Sequence, residues 1–262
     1  MTISWRLAVF AASFAVSAAA SADPVHIIGG QASGCIAGAI ELPAEGPGYS
    51  TIRASRSSFW GHPAVVGAVE TLAVQAHDAG LPALFVGDLS RPGGGPIPGG
   101  HASHQLGLDA DIYLDVTAKP RLDASGRDQL EPLSLVRPDQ RDIDPARWMP
   151  GVTTLIRLAT QLPGVDRVLV NAAIKQQMCR VATGDRAWLR LVRPWYGHAA
   201  HMHIHFRCPA DQPDCRDGAP PPPPGDGCDA LGWWFTRLDE PPAPAQSTPP
   251  PPLPAACHSI VR

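Results

Sequence analysis

The chain has 262 residues, of which 44% are hydrophobic, 17% charged and 6% aromatic, enough apolar material for a sizeable core and too much for a disordered chain. A formal net charge of −3 and an isoelectric point near 6.3 leave no broad basic footprint for nucleic acid or an anionic membrane. The 30 prolines and 25 glycines argue against an all-helical bundle, because both residues break helices.

The first 22 residues read as an export signal rather than as fold. Arg6 supplies the one early positive charge, 7–16 is an apolar run, and Ala20-Ser21-Ala22 offers a small-x-small cleavage site before Asp23. The alternative is an N-terminal membrane anchor, but the run is short for a span of about 20 residues. No later stretch is apolar enough for a span, so none is expected after cleavage. All six cysteines (Cys35, Cys179, Cys208, Cys215, Cys228 and Cys257) follow the signal. An even count in an oxidising compartment predicts three disulfides, and the sequence alone does not choose among the many pairings. Cys208 and Cys215 can close a small loop. The absence of a Cys-x-x-Cys pair removes a thiolate zinc ribbon.

In chain order, 23–60 is glycine-rich and weakly patterned, which predicts a wrapping segment. Over 62–79, Val65, Val66, Val69, Leu72, Ala73 and Ala76 recur at helical spacing, and Gly80 closes the helix. Residues 84–86 predict a short buried strand, and 90–100, with Gly93-Gly94-Gly95, Pro96 and Pro98, a loop. Over 108–114, Leu108, Ala110, Ile112 and Leu114 alternate with Asp109, Asp111 and Tyr113, which predicts a strand with one buried face. The polar stretch 116–147 reads as a long loop or insertion. A helix over 152–162 ends at Pro163-Gly164. A strand over 168–170, a helix over 172–181 and strands over 188–192 and 202–206 follow. Beyond Cys208 the chain turns proline-rich, over 220–224 and 241–254, and such tracts favour extended polyproline II rather than a packed core. Cys257 lies past the tract and can pin its far end. The expected architecture is one α+β domain with a central antiparallel sheet flanked by helices.

Six of the ten histidines fall in two clusters. The first is Gly100-His101-Ala102-Ser103-His104-Gln105-Leu106-Gly107-Leu108-Asp109-Ala110-Asp111. The second is Trp195-Tyr196-Gly197-His198-Ala199-Ala200-His201-Met202-His203-Ile204-His205. On a strand, His201, His203 and His205 project from one face while Met202, Ile204 and Phe206 enter a core. His-x-His aims two imidazoles at nearly one point, which suits a metal. One imidazole of this cluster joined by His104 and Asp111 makes two imidazoles and a carboxylate, with a fourth zinc position open as in catalytic zinc sites. A non-haem iron oxygenase uses the same ligand types but carries its first histidine and carboxylate closer together. A His-Glu-x-x-His helix is absent.

The pattern His104-x6-Asp111 with a late His201-x-His203 resembles the superfamily of lysostaphin-type enzymes, D-alanyl-D-alanine metallopeptidases and hedgehog domains. More closely, Gly99-Gly100-His101-Ala102-Ser103-His104-Gln105-x-Gly107-Leu108-Asp109-x-Asp111 resembles the penicillin-insensitive murein endopeptidases. So do Gly87-Asp88-Leu89-Ser90, Arg91-x-Gly93-Gly94, Asn171-x-Ala173-Ile174-Lys175-Gln176 and Gly197-His198-x-x-His201-x-His203.

The resemblance implies a hedgehog-like, D-Ala-D-Ala-metallopeptidase-like fold over 23–240, with 241–262 as a proline-rich tail. It implies cleavage of D-alanyl–meso-diaminopimelyl cross-links of peptidoglycan stem peptides in the periplasm. His104, Asp111 and His203 match the Zn2+ ligands, and His101 is an extra or alternative one. His201 matches the base or oxyanion-holding histidine, and His198 its support. A second metal site has its nearest match at Asp139-x-x-Asp142. The family's cysteine order implies Cys35–Cys257, Cys179–Cys228 and Cys208–Cys215.

Ala199-Ala200 departs from the family, which often has an acidic residue there. His205 is expected to face solvent. Asp88 and Arg91 either line the cleft, with Arg91 clamping a stem-peptide carboxylate, or fix the glycine loop with Ser90. Trp195 and Tyr196 either pack substrate or fill the core, and Trp233-Trp234 is expected to pack. A carboxypeptidase or dipeptidase on the same zinc core, and a non-catalytic zinc-dependent cell-wall binding module, are the rival readings.

Overall fold

The stretch expected to wrap without regular structure supplies six short strands instead: β1 (His26–Gly30), β2 (Ser33–Ala37), β3 (Ile40–Glu41), β4 (Glu45–Gly46), β5 (Tyr49–Thr51) and β6 (Trp60–Gly61). Strands of two to five residues, rich in glycine, are too short to display the alternation that marks longer ones. The structure, a computed structural model, describes residues 24–98, 102–240 and 251–261. The expected signal over 1–22 and residues 241–250 of the proline tail lie outside them.

The first long helix is α1 (Pro63–Asp78), which buries Val65, Val66, Val69, Leu72, Ala73 and Ala76 as the spacing predicts. Pro63 sits at its first position, and the His62 ring accepts from Ala64 N at 3.2 Å, which caps it. Then come β7 (Leu84–Val86), β8 (Asp109–Tyr113), the short α2 (Ala124–Asp128), α3 (Pro150–Thr160), β9 (Val165–Val170) and α4 (Ala172–Val181). β10 (Val192–Pro194), β11 (His201–Phe206), β12 (Cys215–Arg216) and α5 (Gly232–Thr236) complete the order. The strand expected over 188–192 is a 3-10 helix, Ala187–Leu191, and β10 begins only at Val192. The Asp185 carboxylate accepts from Ala187 N at 2.9 Å, a local side-chain turn that starts the helix in place of a strand.

The central sheet has seven strands in the order β10-β9-β11-β8-β7-β5-β4. Its centre, β9-β11-β8-β7, is antiparallel as expected, but the flanking pairs β10-β9 and β7-β5 run parallel. Helices α1, α3 and α4 bring apolar side chains into a core shared with Ala110, Ile112, Met202 and Ile204. The expectation of one polar, half-solvated face on β8 is corrected, since all five of its residues are buried. Its Asp109 and Asp111 face a covered site.

All three expected disulfides form: Cys35–Cys257, Cys179–Cys228 and Cys208–Cys215. The first spans 222 residues and seats a 3-10 turn (Ala255–Ser259) against β2. The residues after that turn press on the glycine loop. A side chain at Gly95 would lie 2.8 Å from Val261, and one at Gly93 2.3 Å from Ile260 O. Gly94 adopts a left-handed φ of 68°, and a Cβ there would meet Gln105 O at 2.1 Å, so only glycine fits. The double variant Cys35→Ser/Cys257→Ser should lose about 2–5 kcal/mol of unfolding free energy in urea titrations. Cys208→Ser/Cys215→Ser, whose bond spans 7 residues, should lose less, and equal losses would contradict the staple's role.

Candidate metal centre

The register of β8 against β11 builds the centre. His203 pairs with Asp111 and His205 with Asp109. Directly paired residues share a face with Cβ atoms about 4.5–5.5 Å apart, so Asp-x-Asp and His-x-His-x-His become one interdigitated polar surface. Their neighbours Ala110, Ile112, Met202 and Ile204 fill the core behind. His104 joins from the loop before β8 in a left-handed conformation, φ 67°. Such backbone costs on the order of 1–3 kcal/mol and persists only where the surroundings impose it. Here the imposition is visible. His104 N donates to Asp109 Oδ2 at 3.1 Å, and its ring Nδ1 meets Leu89 O at 2.6 Å.

His104, Asp111 and His203 offer ligand atoms within 4.8 Å of one another, and all three are buried. Asp111 Oδ1 lies 3.4 Å from His104 Nε2 and 3.2 Å from His203 Nδ1. That oxygen is buried and accepts no hydrogen bond, an orphan that a cation would satisfy. The far nitrogen of each ring is already engaged. His203 Nε2 bonds Asp109 Oδ1 at 2.8 Å and His104 Nδ1 bonds the Leu89 carbonyl. Such outer bonds fix tautomer and ring orientation in histidine metal sites, and two nitrogens with one carboxylate suit zinc. The residues fit a metal ion.

Burial opposes charge on every one of these groups, and the carboxylates outweigh it at His203, whose imidazole is held up at about 10 by Asp109 and Asp111. His104 is raised in the same way by Asp111. Asp109 and Asp111 lie well below the usual carboxylate range because, despite burial, the facing histidines hold them ionised. The outer histidines move oppositely. Burial lowers His201, and burial with repulsion from His201 and His203 takes His198 to about 4. Both are neutral near pH 7.

The centre opens into a cavity of about 290 Å³ walled by His198, His201, Trp195, Tyr196 and Ser103. His201 Nε2 lies 3.8 Å from Asp111 Oδ2, and the His198 ring is 5.0 Å from the His201 ring. His198 has a φ of 51°, and Asn171 fastens it, its N–H donating to His198 O at 3.0 Å while its side chain caps α4. Trp195 and Tyr196 are exposed and meet Trp234 with tilted rings, so these aromatics rim the cavity rather than fill the core. Trp233, expected to pack, is itself 54% exposed.

Other sequence candidates sit elsewhere. His101 lies outside the described residues. Asp88 is buried between Arg56 and Ser58, one strand over from Asp111. Arg91 lines a separate depression with Arg56 and Ile260. Asp142 accepts from Arg180 and Ile143 N, and Asp139 from Arg141 N. Among the described residues, no group of three ligand-type side chains includes either of them. His205, expected to face solvent, is only 3% exposed and bonds Asp109 at 2.9 Å and the Gln31 amide. Alternation places a side chain on a face but does not say what covers that face. Sequence reasoning also missed Asp109 as the support of two histidines. Its signal was Asp-x-Asp, which matches the histidine period across the pair.

Asp109→Asn should weaken zinc binding about 10- to 100-fold, read by competition with a chromophoric chelator, and unchanged affinity would remove its supporting role. In the chelator-stripped protein, a His203 pKa raised from 6.5 to about 10 favours the fold below 6.5, and that contribution is lost as pH climbs toward 10. Thermal unfolding across this window should show a falling Tm, and His203→Gln should flatten the slope.

Residues 27–262 match the family model described as penicillin-insensitive murein endopeptidase. A relative of that name from Klebsiella pneumoniae subsp. pneumoniae is 45% identical over 241 residues, 89% of this chain and 85% of the relative. Those from Salmonella arizonae and Salmonella heidelberg are 45% and 46% identical over the same shares. The chain belongs to the penicillin-insensitive murein endopeptidase family.

Proposed function

We propose that the chain is a periplasmic zinc DD-endopeptidase that hydrolyses D-alanyl–meso-diaminopimelyl cross-links of peptidoglycan. The relatives named above carry the endopeptidase reading. The observation that carries the chemistry is the orphaned Asp111 Oδ1, framed by His104 and His203 with a neutral His201 beside it. Three disulfides suit an oxidising compartment, and with them the reading of 1–22 as an export signal. We assign 23–240 to a metallopeptidase domain akin to the hedgehog and D-Ala-D-Ala metallopeptidase group, and 241–262 to a tail tied down at Cys257.

Zinc held by His104, Asp111 and His203 would supply a Lewis acid for the amide carbonyl and lower the pKa of a water molecule. The protein's own groups do the rest. His201, neutral at working pH, accepts the proton of the attacking water and returns it to the departing diaminopimelyl amine. His198, neutral and fastened by Asn171, holds the His201 ring in place. Asp109 keeps His203 oriented. Trp195 and Tyr196 present flat apolar faces to the peptide at the rim. No serine acyl-enzyme is needed, which accords with a reaction insensitive to penicillin.

The test is a digest of cross-linked peptidoglycan with and without chelator, read by chromatography of the muropeptides. Chelator-sensitive conversion of dimers to monomers supports the reading. Release of terminal D-alanine alone would indicate a carboxypeptidase, and binding without cleavage a wall-binding module that Ala199-Ala200 leaves inactive. His104→Ala and His203→Ala should lose metal and activity together. His201→Ala should keep the metal and lower kcat roughly 100- to 10,000-fold. Turnover by metal-free His203→Ala would sink the mechanism.

A further inference from the structure

The polar face of the sheet does not end at the metal centre. Across β11 and β9, His203 pairs with Leu169, and across β9 and β10, Leu169 pairs with Arg193. One row along, His205 pairs with Arg167. Two strand spacings, about 10 Å, therefore separate the backbones of His203 and Arg193. Above this stretch lies a second cavity of about 430 Å³ with Arg167, Arg193 and Trp234 in its walls. It shares Ala102, Ser103, Leu169, Trp195 and His203 with the histidine cavity, so the two are adjoining parts of one cleft.

The charges around it do not cancel. Arg167 is held by Asp166, with Nε and Nη2 at 2.8 and 2.6 Å from one carboxylate oxygen, and Nη2 also reaches Pro220 O. Lys175 is fully buried and spends its ammonium on the carbonyls of Leu189 and Asp226. The Asp226 carboxylate is occupied by Arg186. Arg193 has neither a carboxylate nor a carbonyl partner among the described residues, and the charged groups that interact with it are cations, Arg167 and Lys175. Burial and repulsion from Arg167 both lower its pKa. A half-buried guanidinium with no counter-charge is costly, and an arriving anion removes the cost.

We propose that Arg193, flanked by Arg167, is a carboxylate-binding subsite that takes a free carboxylate of the stem peptide next to the scissile amide. This inference rests on the endopeptidase reading and deepens it. A guanidinium fork matches a carboxylate with two parallel hydrogen bonds, and Trp195 and Trp234, with ring centres 6.3 Å apart, wall the subsite. Two carboxylates of the substrate qualify: the one on the diaminopimelyl carbon that bears the scissile nitrogen, and the one ending the acceptor stem. Arg91, which the sequence offered either as a carboxylate clamp or as support of the glycine loop, lines neither part of this cleft.

The experiment compares wild type, Arg193→Gln and Arg193→Lys on muropeptide dimers amidated at the diaminopimelyl carboxylate, amidated at the terminal carboxylate, or free at both. On the free dimer, Arg193→Gln should lower kcat/KM about 10- to 100-fold, mainly through KM, with Arg193→Lys in between. Wild type on the dimer amidated at the bound carboxylate should fall to the level of Arg193→Gln, which should itself be indifferent to that amidation. Which amide has this effect identifies the carboxylate. An equal drop for Arg193→Gln on all three substrates would overturn the subsite. Should wild type cleave no dimer, the endopeptidase reading fails separately. Calorimetric binding of the free and amidated tetrapeptide to the zinc-loaded protein then decides the subsite without turnover, and equal affinity for both would reject it.

Discussion

The centre hangs on the buried carboxylate of Asp109. It has no solvent exposure, and it takes hydrogen bonds from His203 Nε2, His205 Nδ1 and the backbone N–H of His104. A buried carboxylate is tolerable only with its partners in place, and breaking a buried ion pair from one side costs about 3–5 kcal/mol. The same three bonds do the aiming. They turn His203 so that Nδ1 faces Asp111, and they hold the left-handed backbone that swings His104 toward the same point. Asp111, one period further along β8, can then keep an oxygen without a donor. The outer carboxylate is fully satisfied and the inner one is left open.

Seen along the sheet, this face carries a gradient of charge. Carboxylates stand on β8, imidazoles on β11, an apolar Leu169 on β9, and on β10 Arg193, which has no counter-charge among the described residues. Neutral His198 and His201 form the rim above the charged interior. A peptide lying across the strands meets proton-accepting chemistry first and a cation about two strands later. The order comes from pairing alone, since residues far apart in the chain become neighbours once the register is set.

Much of this could be read from the residues. The strict alternation over 108–114 and 202–206 gave both central strands and their polar faces, and the resemblance carried His104, Asp111 and His203 into one group. Helix α1 followed from its apolar spacing and Gly80, and α3 from its end at Pro163-Gly164. Other features depend on what lies opposite, which local pattern does not contain. His205 looked solvent-facing because nothing in its neighbourhood announces Gln31, 174 residues away. The strands of 26–61 are stabilised by partners rather than by their own composition. Arg193 sits in an unremarked Val-Arg-Pro, and the subsite proposed for it rests on the strand pairing and on the lack of a counter-charge among the described residues.

The Cys35–Cys257 staple makes the order of synthesis matter. Cys257 locks β2, and the residues after it brace Gly93 and Gly95, whose loop bonds Gln105 beside His104. A chain that emerges from its N-terminus cannot draw this brace closed until Cys257, 222 residues after Cys35, is out. Fragments that stop short of Cys257 lack both the bond and the cover. Support for the histidine loop is thus tied to the arrival of Cys257 and to oxidation of its thiol with that of Cys35, so that copies cut before it or reduced are left without the brace.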